Sequence, residues 1–120
     1  MKVTDFLVSK SDLTETRFDT HDAPDLAAGE CLVEIEKFAF TANNITYAVM
    51  GEAMQYWDFF PAPDGWGRIP VWGYATVVVS NLEGVEVGER LYGYFPMSSH
   101  VVLRSNNVSE NIIHDTSVYR

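Results

Sequence analysis

Polar and apolar side chains alternate most regularly between residues 30 and 40. Cys31, Val33 and Ile35 fall on one side of an extended chain, while Glu34 and Glu36 fall on the other. Such alternation marks a strand in a sheet with one dry and one wet face. Shorter strands are predicted over residues 3–9 and 13–18, around a polar turn at residues 10–12. In the second of them Thr14, Thr16 and Phe18 alternate with Glu15 and Arg17. Residues 19–29 read as a loop that contains Ala23-Pro24-Asp25 and ends in a glycine turn. Thr41-Ala42-Asn43-Asn44 supplies helix-capping residues. One or two helical turns are predicted over residues 45–50, stopped by Gly51, and a second short helix around residues 53–57. Two prolines and a glycine exclude regular pairing over residues 61–65. Further strands are predicted over residues 71–80, 90–94 and 100–104. Val77-Val78-Val79 lacks polar alternation, so both of its faces are expected to be covered. Residues 106–110 read as polar loop, and residues 112–120 as a frayed terminal strand or helix. Short strands separated by Gly and Pro turns predict a mainly β domain, a small and partly open β-barrel with one or two short helices.

A length of 120 residues fits one domain spanning the whole chain. The formal net charge is −9, and the basic residues are scattered. No basic cluster is dense enough to neutralise a run of phosphates, which argues against nucleic acid as a partner. An anionic membrane surface is disfavoured on the same ground. No apolar run approaches the roughly 20 residues of a membrane span. The N-terminus Met1-Lys2-Val3-Thr4-Asp5 has no apolar signal segment. With Cys31 the sole cysteine, a cytoplasmic location is expected. In that setting the two glycosylation sequons, at Asn44 and Asn107, are read as chance.

Four pieces of sequence occur in a recognisable order. Gly29-Glu30-Cys31-Leu32-Val33-Glu34-Ile35 is a turn and strand. Asn43-Asn44-Ile45-Thr46-Tyr47 leads into a short helix that ends at Gly51. Pro70 and Gly73 sit on a strand. Val87-Gly88-Glu89-Arg90-Leu91-Tyr92-Gly93 forms a turn and the next strand. Gly88 suits a positive backbone φ in a tight turn. Together these pieces resemble the GroES-like N-terminal barrel of the medium-chain dehydrogenase/reductase superfamily, of the quinone oxidoreductase kind. The stretch from Phe38 to His100 is more similar still to an uncharacterised bacterial branch of that superfamily. The resemblance implies the catalytic-side domain of a metal-free reductase, occurring as a truncated or stand-alone module. In a whole enzyme of this kind a nicotinamide cofactor, NADPH, delivers hydride to a carbonyl or conjugated alkene. The alternative class is a non-enzymatic module that binds a small apolar ligand or a protein. That module would bind through the aromatic loop; for the chain in either class, the expected partners are a second copy or a missing Rossmann-type domain.

Departures from that pattern bear on activity. Many relatives carry Gly-x-Glu on the proline–glycine strand, and the matching acid is here Ala75. Cys31, His21, His100 and His114 lack the spacing of zinc ligands, so no metal is expected. Gly65-Trp66-Gly67 does not make a dinucleotide loop, because the third glycine position is Pro70 and no strand precedes it. No cofactor is therefore expected to bind this chain by itself, and activity of the chain alone is not expected. His100 has no partner carboxylate identifiable from spacing and reads as a structural histidine.

The candidate cleft residues are Asn43, Asn44, Tyr47, Tyr56, Trp57, Trp66, Trp72 and Tyr74. The resemblance places the segment of Asn43, Asn44 and Tyr47 at the nicotinamide cleft. There an amide can hold a carbonyl oxygen and a phenol can donate a proton. The same asparagines serve equally as helix caps. The aromatic residues between Tyr56 and Tyr74 either pin a proline-rich loop or wall an apolar site. Trp57 or Trp66 is expected to line a concave surface with Tyr47 or Asn44.

Overall fold

A computed structural model describes residues 1–50, 60 and 62–105, without the Tyr47 side chain. Its strands are β1 (Lys2–Ser9), β2 (Thr16–Asp22), β3 (Glu30–Ala39), β4 (Trp66–Gly67), β5 (Pro70–Ser80), β6 (Arg90–Pro96) and β7 (His100–Arg104), with the helix α1 (Ala42–Val49) between β3 and β4. They form two antiparallel sheets, ordered β2-β1-β4 and β6-β5-β3-β7. The chain is mainly β as expected, and among the described residues the two sheets do not form a closed barrel. The predicted helix around residues 53–57 and the predicted elements after residue 105 lie outside the described residues.

The alternation in β3 does what a one-sided sheet requires. Cys31 and Val33 are buried, Ile35 packs against the same core, and Glu34 and Glu36 stay exposed. β5 adds Ala75 and Val77 to that core, β6 adds Phe95, and β7 adds Val101 and Leu103. Pairing of β3 with β5 is irregular between Ile35 and Lys37. One extra residue there lets Lys37 face Tyr74 on the wet side and Phe38 face Gly73. Gly88 has φ of +96°. Its N–H donates to the Val77 carbonyl, while the Val77 N–H donates to the Glu89 carbonyl. Two residues thus oppose one, the glycine bulge that starts β6.

Two expectations need correction. The second strand begins at Thr16 rather than residue 13, because the Asp12 carboxylate accepts from both the N–H and the hydroxyl of Thr14. That side-chain turn removes Leu13 and Thr14 from the ladder. The strand also continues to Asp22, into the span expected to be loop, because seven paired positions with β1 hold it extended. Val79 is 41% exposed, so only one face of that end of β5 is covered.

The sheets meet along β1 and the turn between β6 and β7. Phe6 N–H donates to Met97 O, Ser99 N–H donates to Thr4 O, and Ile35 N–H donates to Ser99 O. Asp5 pairs with Ser98 at an isolated bridge. Among the described residues, no helix is long and apolar enough to cross a membrane.

Candidate functional site

An aromatic ladder stands on the wet face of the larger sheet. β5 carries Trp72-Gly73-Tyr74 and β6 carries Tyr92-Gly93-Tyr94. Their register pairs Trp72 with Tyr94, Gly73 with Gly93, and Tyr74 with Tyr92. Antiparallel pairing puts the four rings on one side, since alternate residues share a face. Trp72 lies 5.8 Å from Tyr92 at an interplanar angle of 20°, and 5.1 Å from Tyr94. Tyr74 and Tyr92 are 4.9 Å apart. Such pairs contribute about 0.5–1.5 kcal/mol each beyond area burial. The rings remain open to solvent: Trp72 is 48% exposed, Tyr74 39% and Tyr92 62%.

Charged side chains bound one end of the ladder. The Arg90 guanidinium sits 4.4 Å over the Tyr74 ring, and Lys37 Nζ lies 5.9 Å from it. Arg90 Nε also donates to Glu36 Oε2 at 3.0 Å, and the Thr76 hydroxyl donates to the same oxygen. The Thr76 and Arg90 hydrogen bonds together hold the Glu36 carboxyl below its ordinary range. The face therefore offers flat apolar rings beside a fixed guanidinium and an ammonium. It suits a planar group with a polar edge.

The candidate cleft residues separate. Trp72 and Tyr74 share the ladder. Trp66 belongs to the other sheet, opposite Ser9, with the Arg17 guanidinium 4.3 Å above its ring. Asn44 is only 4% exposed and is committed at both ends. Its Oδ1 accepts from the Thr41 N–H, and Thr41 in turn accepts from the Asn43 N–H, completing a capping box. Asn44 Nδ2 donates to Pro70 O at 2.9 Å, fastening α1 to the start of β5. Asn44 thus acts as the cap and as the strap to β5. The Asn43 side chain is exposed beside it. Ala48 of α1 packs with Val8 of β1 and with Ile69, while Val8 pairs with Gly67 beside Trp66. Tyr56, Trp57 and the Tyr47 side chain lie outside the described residues.

Tyr92 and Tyr94 are the ladder residues missing from the sequence-based set. The signal was present: two aromatic–glycine–aromatic triplets on predicted strands 90–94 and 71–80 stack when their glycines align. His100 gains a carboxylate that spacing alone did not reveal. β3–β7 pairing sets Glu34 opposite it, with Nε2 3.4 Å from Glu34 Oε2, and Ser99 Oγ lies 2.8 Å from Nδ1. The Ser99 hydroxyl also accepts the Thr4 N–H, so this trio ties the sheets together. Cys31 is fully buried, and desolvation, aided by the Glu89 charge, pushes its thiol up to about 11. A thiol so rarely ionised is a core residue rather than a nucleophile. Among the described residues no group of three His, Cys, Asp or Glu side chains is placed to hold a metal ion.

Residues 38–120 match the family described as "Protein of unknown function (DUF2855)". The match covers more than half of the chain, and the chain belongs to this family. No curated protein matches it. The matched span contains α1, β5, β6 and β7, hence the whole ladder and the Asn44–Pro70 strap.

Proposed function

We propose that this chain is the substrate-side, GroES-like domain of a metal-free reductase of the medium-chain type. It supplies a binding face for a flat, apolar carbonyl compound or conjugated alkene. The observation that carries this reading is the exposed ladder of Trp72, Tyr74 and Tyr92, with Arg90 and Lys37 at its edge. Such rings offer face contacts to a planar substrate, and the cations suit a carbonyl oxygen that gains negative charge as hydride arrives. Two motif pieces that suggested the superfamily are also joined physically, since Asn44 of one bonds Pro70 of the other.

Among the described residues, the helix N-terminus at α1 does not suit a nicotinamide dinucleotide. A pyrophosphate is ordinarily cradled by free N–H groups at a helix N-terminus beside a glycine loop. At α1 the Asn43 N–H is taken by Thr41 Oγ1 and the Asn44 N–H by Thr41 O. The chain's own part is to bind and orient, with the dinucleotide held by a different domain. Calorimetric titration of NADPH into the 120-residue chain is expected to give a dissociation constant no tighter than about 1 mM, or about −4 kcal/mol. A micromolar constant would refute this division of roles.

One observation favours a second reading, an interaction module. Helix α1 buries Asn44 and Ala48 while Ile45, Val49 and Met50 lie exposed, and Phe38 and Phe40 at the end of β3 are exposed too. An apolar helix face turned to solvent is a surface for a second copy or another domain.

A further inference from the structure

The Asp5 carboxylate gathers groups from three separate places. Asp5 is 7% exposed. His21 Nε2 of β2 approaches Oδ2 at 3.0 Å. Arg68 Nη1, from the link between β4 and β5, donates to Oδ1 at 3.2 Å. The Ser98 hydroxyl, from the turn between β6 and β7, donates to the same oxygen at 2.5 Å. One side chain thus connects an edge strand of the smaller sheet to a turn of the larger one.

The two nitrogens of His21 both face oxygen acceptors. Nε2 meets Asp5, and Nδ1 lies 3.1 Å from the Asp22 carbonyl. A neutral imidazole has one N–H and one lone pair, so it satisfies only one of these contacts. The imidazolium, with two N–H groups, satisfies both. The local charges favour that form. Asp5 stands directly opposite Asp19 in the β1–β2 register, a like-charge pair that destabilises unless a cation offsets it. The charged groups around His21 are Asp5 and Lys2 of β1, Asp19 and Asp22 of its own strand, and Arg68. Lys2 is held by Asp22 at 2.6 Å, and Arg68 by Asp5.

We propose that His21 and Asp5 form a pH-sensitive clasp that holds the edge strand β2 against the rest of the fold when His21 is protonated and loosens when it is not. The device is independent of the aromatic face. The Asp22 carbonyl and then the Asp5 carboxylate raise the His21 pKa above its ordinary value. The folded chain therefore holds this proton more tightly than the unfolded chain. The clasp's contribution is complete below the unfolded-state value of about 6.5 and is lost as pH rises through the raised folded-state value. The His21 side chain is 46% exposed, so screening keeps the effect modest. Partly exposed pairs change the unfolding equilibrium by about two- to fivefold.

The test combines histidine NMR and urea unfolding on the 120-residue chain. The His21 ring signals, assigned with His21→Gln, are expected to titrate with a midpoint above 6.5, and the midpoint is expected to fall in Asp5→Asn. Between pH 6 and pH 9 the unfolding constant is expected to rise about two- to fivefold more in the native chain than in His21→Gln. Should Asp5→Asn fail to fold, the native and His21→Gln chains decide the matter alone. A midpoint at or below the ordinary value, or identical pH profiles for those two chains, would overturn the clasp.

Discussion

Replacing Gly73 with alanine is expected to destabilise the domain by roughly 3 kcal/mol, at the upper end of overpacking costs. A Cβ at this position would stand 2.3 Å from the Lys37 carbonyl oxygen and 2.8 Å from Phe38 Cβ. Both neighbours belong to β3 and pair with Tyr74 and Gly73 of β5. Relief therefore means prying β3 from β5 where the irregular pairing has already brought them close. Gly93, paired with Gly73, provides the control. A Cβ there meets the Phe95 ring, Cζ at 3.6 Å and Cε2 at 3.9 Å, ordinary contacts, so Gly93→Ala is expected to cost about 1 kcal/mol or less. Urea denaturation of the two variants separates the cases. Equal losses would show that β3 and β5 are not packed as described.

Asn44 gives the second large effect. Alanine removes the cap contact, worth about 1 kcal/mol. It also leaves the Pro70 carbonyl without its buried donor, at a further 1–3 kcal/mol or so. A total of about 2–4 kcal/mol is expected from the same measurement. Asn44→Asp distinguishes the two components. It keeps an oxygen for the Thr41 N–H but presents no donor to Pro70, so it is not expected to restore stability. A fully stable aspartate variant would reduce Asn44 to a simple cap and dissolve the link between α1 and β5.

Particular residues show how far the sequence was legible. β3 followed from the alternation of Cys31, Val33 and Ile35 with Glu34 and Glu36, because a one-sided sheet leaves a period-two trace. β7 was found at its observed limits. The start of β2 was misplaced because Thr14 looks like a strand residue until the Asp12 carboxylate competes for its N–H. The separate sheets were not visible, since their junction rests on backbone bonds from β1 to the β6–β7 turn and on Asp5, whose partners are distant in sequence. Half of the aromatic ladder was legible. Trp72 and Tyr74 were singled out by composition. Tyr92 and Tyr94 required the strand register that brings the two triplets side by side. Asn44 was recognised as important, yet sequence alone left open whether its amide faced a ligand or the helix. In the fold the amide is buried, with its oxygen on the Thr41 N–H and its nitrogen on the Pro70 carbonyl.

The most direct test of the binding face is an NMR titration of the native chain with 1,4-naphthoquinone, a flat carbonyl compound, followed through the Trp72 indole N–H and the amides of β5 and β6. Shifts are expected to concentrate on Trp72, Tyr74 and Tyr92 and to saturate with ligand. In a Trp72→Ser, Tyr92→Ser double variant that keeps its fold, binding is predicted to weaken about tenfold, the equivalent of 1.4 kcal/mol. Shifts gathered instead on Ile45 and Val49 of α1, or affinity unchanged in the double variant, would contradict the proposed binding face.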